Sequence, residues 1–362
     1  MILPTGTDLT PADILKIIKK HHGTEKVKLT ELENYYNGKH SILKKHIPDD
    51  TKPCNKLVYN FPAYIADNFS SYITGNQITY KSKDDITALV DILNYNDAGS
   101  QDSLISTDIA IYGKAYEVLY IDADGYTRFQ KVNPKEMIMV YDDSLEGNAI
   151  YAIRYYLVHN PLNEKQEYNV TVYTNKVIST YVVGQSFGKI TPTGISEHYF
   201  NDIPVVEYTD KSSFESVISL VDAYEKLSSA EVDDYEAFVD AYLILKGVTA
   251  EDEDIAKMKY NRVLMLDDNS NAEYLTKAVN SQQIDSIKNQ LVENIHKLSS
   301  CPNFADESFG TTSGIAMAYK LLGFTNAGAI RIRNIKKGIQ RRLELLCNIL
   351  ALTDNKIDWR DI

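Results

Sequence analysis

Carboxylates are concentrated in one stretch of this 362-residue chain, and they are its side chains most able to carry chemistry. Twelve of them lie between Glu215 and Asp254, against only two cations. On a helix they would form either an ordinary solvated face or a surface of strong negative potential, such as a channel wall or a subunit interface. The positions of interest on the predicted helix are Glu231, Asp233, Asp234, Glu236 and Asp240.

Signatures of known enzyme classes are absent or incomplete. Gly113-Lys114 lacks the earlier glycine and the following Ser or Thr of a phosphate-binding loop. The residues DADG at 122–125 lack the third acidic position and the final Glu of a calcium loop, so we predict a hairpin turn there. The histidines show no metal-ligand spacing, and no Gly-x-Ser-x-Gly elbow occurs. We therefore expect no catalytic residues, no metal site and no cofactor.

A second charged group lies on a long helical pattern near the C-terminus. Apolar residues recur there at helical spacing, at Ile315, Tyr319, Leu322, Ile332, Ile335, Ile339, Leu343 and Leu346. Cations cluster on the same helix, at Arg331, Arg333, Lys336, Lys337, Arg341 and Arg342. We expect one side of the helix to pack and the other to present cations to something acidic. Three glycines, at 323, 328 and 338, each cost roughly 1 kcal/mol relative to Ala and predict a bend or a close helix contact.

The composition is ordinary for a folded protein, with 44% hydrophobic and 24% charged residues. A net charge of −12 argues against a broad basic surface that grips DNA phosphates, but it is compatible with a channel through which DNA slides. The 26 tyrosines suit either extensive subunit interfaces or a β-rich fold. No apolar run approaches the roughly 20 residues of a membrane span, so no membrane partner is expected. Three widely spaced cysteines fit reduced thiols.

Periodicity divides the chain into helical and β-rich parts. Residues 8–113 are predicted to be mostly helical, with a basic loop at 40–59. The period changes to two between about residues 116 and 208, which indicates strands. A helix from 212 to about 244 follows, then short strands at 262–266 and 272–276, a helix over 284–298 and the long C-terminal helix. The predicted fold class is therefore α+β.

Short sequence words occur in a fixed order along nearly the whole chain. They are YYNGKH at 35–40, NFP at 60–62, NPKE at 133–136, NRV at 261–263, EYLT at 273–276, DESFG at 306–310, SGIA at 313–316, YKLL at 319–322 and QRR at 340–342. No single word is specific, but the ordered set resembles the siphovirus-type portal proteins of tailed bacteriophages, which are head–tail connectors. The resemblance implies a portal fold, a ring of about twelve subunits around a channel for double-stranded DNA, and no covalent chemistry.

On this resemblance the chain divides into the parts of a portal subunit. They are a wing at 1–211 (helical over 1–113, β-rich over 114–211), a stem helix at 212–245, a clip at 246–280, a second stem helix at 281–300, a tunnel loop at 301–312, and a long kinked wing or crown helix at 313–362. Relatives usually continue with more crown and tail sequence, so a truncated C-terminus is expected.

The resemblance also assigns residues to these parts. The tunnel loop would face DNA through Asn303, Phe304, Asp306, Glu307, Ser308 and Phe309. The clip would carry Glu251, Asp252, Glu253, Asp254 and Arg262. The cations of the long helix would pair with carboxylates of their own helix end or of a neighbour's acidic stem, or would contact DNA.

The implied partners are further copies of the chain, double-stranded DNA, the terminase large subunit, scaffolding and major capsid proteins, and a head–tail adaptor. The expected location is the portal vertex of the virion, and the host cytoplasm during assembly. A carboxylate- and metal-dependent phage nuclease or head-maturation enzyme is the alternative, because such ligands converge from distant positions that spacing cannot identify. The mass of the assembly and DNA cleavage with Mg²⁺ or Mn²⁺ would separate the two.

Overall fold

A computed structural model confirms a mixed α+β chain. It describes residues 1–49, 52–161, 165–239, 243–246, 271–274, 281–305, 313–353 and 355–362. The chain forms two compact units. The first contains Met1–Lys39, Asn60–Ile218 and His296–Ile362, and the second contains His40–Tyr59 and Ser219–Ile295. The basic loop predicted inside the wing therefore folds with the second unit.

The N-terminal helices of the first unit lie within the region 8–113 that was predicted to be mostly helical. They are α1 (Pro11–Gly23), α2 (Glu25–Tyr36), α3 (Phe61–Thr74), α4 (Thr87–Tyr95) and α5 (Ala98–Tyr112). Thr10 and Asp13 form a capping box at the start of α1, and Asn60 caps α3. Gly113 ends α5 in the left-handed conformation, where a Cβ would lie 2.8 Å from a backbone nitrogen. Glycine is therefore required at this junction.

Two antiparallel sheets follow α5. The smaller has the order β2 (Thr127–Val132), β1 (Lys114–Ile121), β8 (Val205–Thr209). The larger runs in chain order through β3 (Met137–Tyr141), β4 (Ala149–Asn160), β5 (Lys165–Tyr173), β6 (Val177–Gly184) and β7 (Ile190–Glu197). The predicted hairpin turn at 122–125 joins β1 to β2. Strand β7 contains Pro192 and Gly194, which usually interrupt strands, but an exposed edge strand tolerates both.

The long C-terminal helix, α8 (Gly314–Leu350), packs on the first unit from Phe324 onward. Ile335, Ile339 and Leu343 are buried in one core with residues of α4, α5 and the smaller sheet. Two glycines permit close contact, because a Cβ on Gly338 or Gly328 would lie 2.2 or 2.3 Å from a tyrosine ring. The sequence predicted that one apolar side packs along the whole helix. This prediction is wrong for four of its residues, which are exposed: Ile315, Tyr319, Leu322 and Ile332.

The second unit is built around two helices, α6 (Ile218–Val239) and α7 (Ser281–Ser299). Strands β9 (Leu243–Lys246) and β10 (Asn271–Tyr274) pair antiparallel between them in the sequence. The helix predicted to reach residue 244 therefore ends earlier, and its last residues form a strand. The strand predicted at 262–266 lies outside the described residues. None of the described helices combines the length and apolar composition needed to cross a membrane.

Candidate functional site

Helix α6 is lined by the basic segment His40–Tyr59 of the same unit. Lys45 forms an ion pair with Asp233, and the backbone and side-chain amides of Asn55 donate to the same carboxylate at 2.6 and 2.9 Å. The Asn55 side chain also donates to Glu236 at 2.9 Å. Burial alone would raise the pKa of Asp233, but these donors outweigh it and lower the pKa. The carboxylate is therefore stabilised in its charged form by its own chain.

Both ends of the basic segment are fixed by a buried carboxylate of α6. The side chains of His40 and Glu225 are fully buried, and His40 Nδ1 lies 2.5 Å from Glu225 Oε1. The backbone amide of Tyr59 donates to the same oxygen at 2.8 Å. Next to His40, the Ser41 hydroxyl donates to Asp222 at 2.7 Å. Because a buried carboxylate is costly without partners, Glu225 favours the folded position of the whole segment.

These contacts change the prediction for the acidic helix, which is not an open row of carboxylates. Glu231 pairs with Lys288 of α7 at 2.6 Å, and Asp233 and Glu236 accept hydrogen bonds from the basic segment. Asp234 is half-buried, and Asp240 lies outside the described residues. Sequence pattern could not show this neutralisation, because Lys45 is 188 positions from its partner. A channel wall or a subunit interface remains a prediction for the rest of the helix.

Cations of α8 are also used inside the chain. Arg331 lies 3.4 Å from Asp210, and Arg341 lies 2.7 Å from both Asp202 and Glu344. Arg331 and Arg341 therefore do pair with acidic groups, and those groups belong to their own unit. Pairing of the helix with a neighbour's acidic stem or with DNA stays a prediction.

Arg342 is the most deeply buried of the predicted surface cations. Its Nε and Nη1 lie 2.7 Å from Glu117 and from Asp102, and its guanidinium stacks over Phe129 at 4.8 Å. The Tyr208 hydroxyl donates to Glu117 at 3.2 Å. Burial raises the pKa of Glu117 and of Asp102, and Arg342 opposes that rise. Arg342 therefore supports the core and is not available to DNA or to a neighbouring molecule.

The remaining predicted cations, Arg333, Lys336 and Lys337, are exposed. They follow the exposed apolar part of α8 along the chain. They are the members of the predicted basic cluster that can meet a partner, and the nature of that partner remains a prediction.

The start of the predicted tunnel loop is anchored on α3. The Tyr64 hydroxyl donates to the Pro302 carbonyl at 3.1 Å and accepts from the Phe304 amide at 2.8 Å. The Phe304 ring also contacts Phe324 of α8 edge-on, at 5.7 Å between ring centres. Asn303 stabilises the adjacent turn through its side-chain oxygen. Asn303 and Phe304 are thus held by their own subunit.

The other predicted tunnel-loop and clip residues have no described structure. Asp306, Glu307, Ser308 and Phe309 lie outside the described residues, and so do Glu251, Asp252, Glu253, Asp254 and Arg262. Where the chain is described, no group of three or more His, Cys, Asp or Glu side chains could hold a metal ion.

Sequence reasoning missed the partners that decide where the charges go. Glu117 offered a signal, because a carboxylate in the middle of an apolar strand is either exposed or paired in the core. Asp102 lay in a predicted helix without such a contrast. His40, Glu225 and Tyr64 gave no local signal, because each contacts a residue far away in the chain.

The described chain thus combines an α+β first unit with a second unit built around two helices. The family described as "Phage portal protein, SPP1 Gp6-like" matches residues 15–362. The chain belongs to this family of phage portal proteins, which are generally structural and not enzymatic.

Two curated relatives agree with this assignment. The portal protein of Bacillus phage SPP1 is 22% identical over 322 residues, which cover 80% of this chain and 63% of the relative. The portal protein of Clostridium phage phiCD119 is 21% identical over 372 residues, which cover 91% of this chain and 80% of the relative. The chain therefore spans less than two thirds of the SPP1 protein it matches.

Proposed function

We propose that this chain is one subunit of a ring of about twelve copies at a capsid vertex, around a channel that passes double-stranded DNA during packaging and ejection. The observation that carries the proposal is the family match over residues 15–362. The virion is accordingly its proposed location, and the host cytoplasm its location during assembly.

The distribution of charge supports a channel more than a DNA-gripping surface. A protein that neutralises many phosphates binds DNA tightly and with a steep salt dependence, which would oppose sliding. In this chain Arg331, Arg341 and Arg342 are engaged by carboxylates of the same unit. The chain as a whole carries a net charge of −12. Weak, non-adhesive contact with DNA is the expected behaviour.

The proposed parts of the subunit follow from this role. Helices α6 and α7 are the stem, residues 246–280 the clip, residues 301–312 the tunnel loop, and the first unit with α8 the wing and crown side. The clip is the proposed docking site for the terminase large subunit and afterwards for a head–tail adaptor. Scaffolding and major capsid proteins are the proposed partners of the wing.

The mass of the purified assembly tests the ring. About twelve copies of a 40.9 kDa chain would have a mass of about half a megadalton by light scattering. We expect that mass, unchanged in strong reductant, and no cleavage of DNA with Mg²⁺ or Mn²⁺. A small oligomer that cuts DNA with either metal would refute the proposal in favour of a nuclease.

The docking role is tested separately. Deleting residues 251–254 should leave a ring of unchanged mass that no longer stimulates the packaging ATPase, because the four consecutive carboxylates of the clip are removed. Deleting residues 122–125, a surface hairpin turn of the wing, is the control and should preserve stimulation. Full stimulation by the clip-deleted ring would count against terminase docking at this segment.

A further inference from the structure

The first half of α8 exposes an apolar stripe along one of its faces. Ile315, Tyr319, Leu322 and Ile330 are 76%, 75%, 51% and 60% exposed. Single exposed apolar residues are common on protein surfaces. Here they share one helix face, on which only Asn326 interrupts the apolar series, and such a face is typical of a helix that packs against another helix.

The stripe points away from the side on which α8 packs in its own unit. At about 100° per residue, Ile335 lies about 200° around the helix axis from Ile315. Ile335 belongs to the buried face, together with Phe324 on an earlier turn. Because the two faces are nearly opposite, packing that buries one face leaves the other free for a separate molecule.

A second, partly exposed stripe with apolar residues lies on α7. Ile287 and Leu298 are 42% and 59% exposed, and between them Leu291 is half-buried and Asn294 exposed. These four residues are separated by four, three and four positions. The same spacing separates Ile315, Tyr319, Leu322 and Asn326 on α8. This alternation of three and four residues is the seam spacing with which two helices interlock side chains.

We propose that the α8 stripe of one copy packs against the α7 stripe of a second copy, and that this contact joins neighbouring subunits. The inference rests on the proposed ring, because a closed ring needs two different complementary surfaces on every subunit. The two stripes are such a pair, each with large apolar side chains and matching spacing.

Charge at the edge of the contact fits the same partner. Arg333 and Lys337 continue the α8 face beyond Ile330, at positions that share its direction around the helix. A second copy carries 50 carboxylates against 38 lysines and arginines, so its overall field attracts these cations. An apolar centre with a charged edge is the usual arrangement of a protein interface.

Substitutions on the stripe test the contact. Tyr319→Asp combined with Leu322→Asp should lower the mass from about half a megadalton to that of one or a few copies, because two carboxylates would have to be buried between subunits. Val27→Asp combined with Leu145→Asp is the matched control, since both residues are exposed and lie on neither stripe. Circular dichroism and thermal unfolding verify that both variants are folded. Rings of full mass in the stripe variant would overturn the inference and leave the ring proposal intact.

Cross-linking tests the pairing directly. Two differently tagged chains, one with Leu322→Cys and one with Asn294→Cys, are co-expressed in a background with Cys54→Ser; Cys301 and Cys347 are buried. A short bismaleimide should give a product that carries both tags. Efficient coupling between two Leu322→Cys copies, or no coupling in intact rings, would overturn the pairing. A wild-type chain that never forms a ring would instead refute the proposed function.

Discussion

Replacing Arg342 with Met should strongly destabilise the first unit. The change keeps a long side chain but leaves Glu117 and Asp102 buried without the cation that lies 2.7 Å from each. Removing one partner of a buried ion pair typically costs about 3–5 kcal/mol. That is a large part of a total stability of about 5–15 kcal/mol.

The pH dependence of the loss identifies its cause. Burial raises the folded-state pKa of Glu117 and Asp102, and Arg342 opposes the rise, so both pKa values should rise further in the variant. A carboxyl group with a raised folded pKa binds more protons in the folded state. Its contribution to stability is then fully present below the unfolded pKa and is lost as the pH rises through the folded pKa. The deficit of the variant should be largest near about pH 8 and smaller near about pH 5.

Urea unfolding of the wild type and of Arg342→Met at several pH values measures this deficit in stability. The subunit concentration is kept fixed, because association also shifts apparent stability. Arg341→Met is the control, because that partly exposed surface arginine should contribute at most about 1 kcal/mol. Adding Glu117→Gln and Asp102→Asn to Arg342→Met should restore part of the stability, since no unpaired charge then remains buried. Equal stability of the two single variants, or a deficit that grows as the pH falls, would refute the reasoning.

Three further changes test other features of the fold. Gly338→Ala should lower stability by about 1–3 kcal/mol, because the new Cβ would overlap a tyrosine ring. The Cβ of Gly323→Ala would meet no atom within 4 Å, so this substitution should add up to about 1 kcal/mol of stability. Similar thermal midpoints for the two variants would contradict this. Burial raises the pKa of Asp108 to about 6 from an ordinary 3.8, so its protonation stabilises the fold below the lower value and that contribution disappears as the pH rises through the upper one. Asp108→Asn should therefore flatten the stability profile between them, and an unchanged slope would count against the assignment. His40→Ala should accelerate amide hydrogen exchange over residues 41–59 relative to the exposed control His46→Ala, and equal exchange would show that the buried histidine does not hold the segment.

Local patterns predicted most of the elements because their causes are local. Capping by Thr10 and Asn60, the stop at Gly113 and the turn at 122–125 depend on residues within a few positions of one another. The exceptions also have physical reasons. Strand β7 is an edge strand and tolerates Pro192, and residues 243–246 pair with β10 and do not extend the helix.

Predictions about surfaces were poorer because burial and pairing depend on distant residues. Helical spacing placed Ile315 and Ile335 in one apolar series, yet they lie on nearly opposite sides of α8. The period of a pattern therefore indicated a helix without showing how many faces it uses. The phase of each apolar residue around the axis was needed to separate the core face from the exposed stripe.

The same limit explains the errors about charge. A cluster of like charges in the sequence predicts a charged surface, but Arg342 is in the core and Asp233 is paired with a lysine from an earlier segment. Each internal pair removes one cation and one carboxylate from the groups that face outward, so the net charge of −12 falls on a smaller set of exposed side chains. Ion pairing inside the subunit therefore leaves the net negative charge intact while it removes arginines that could have held DNA phosphates. An arginine that is paired inside the subunit cannot hold a DNA phosphate, and neither can one that is absent from the channel. Both arrangements would let DNA slide past the protein, as the proposed function requires.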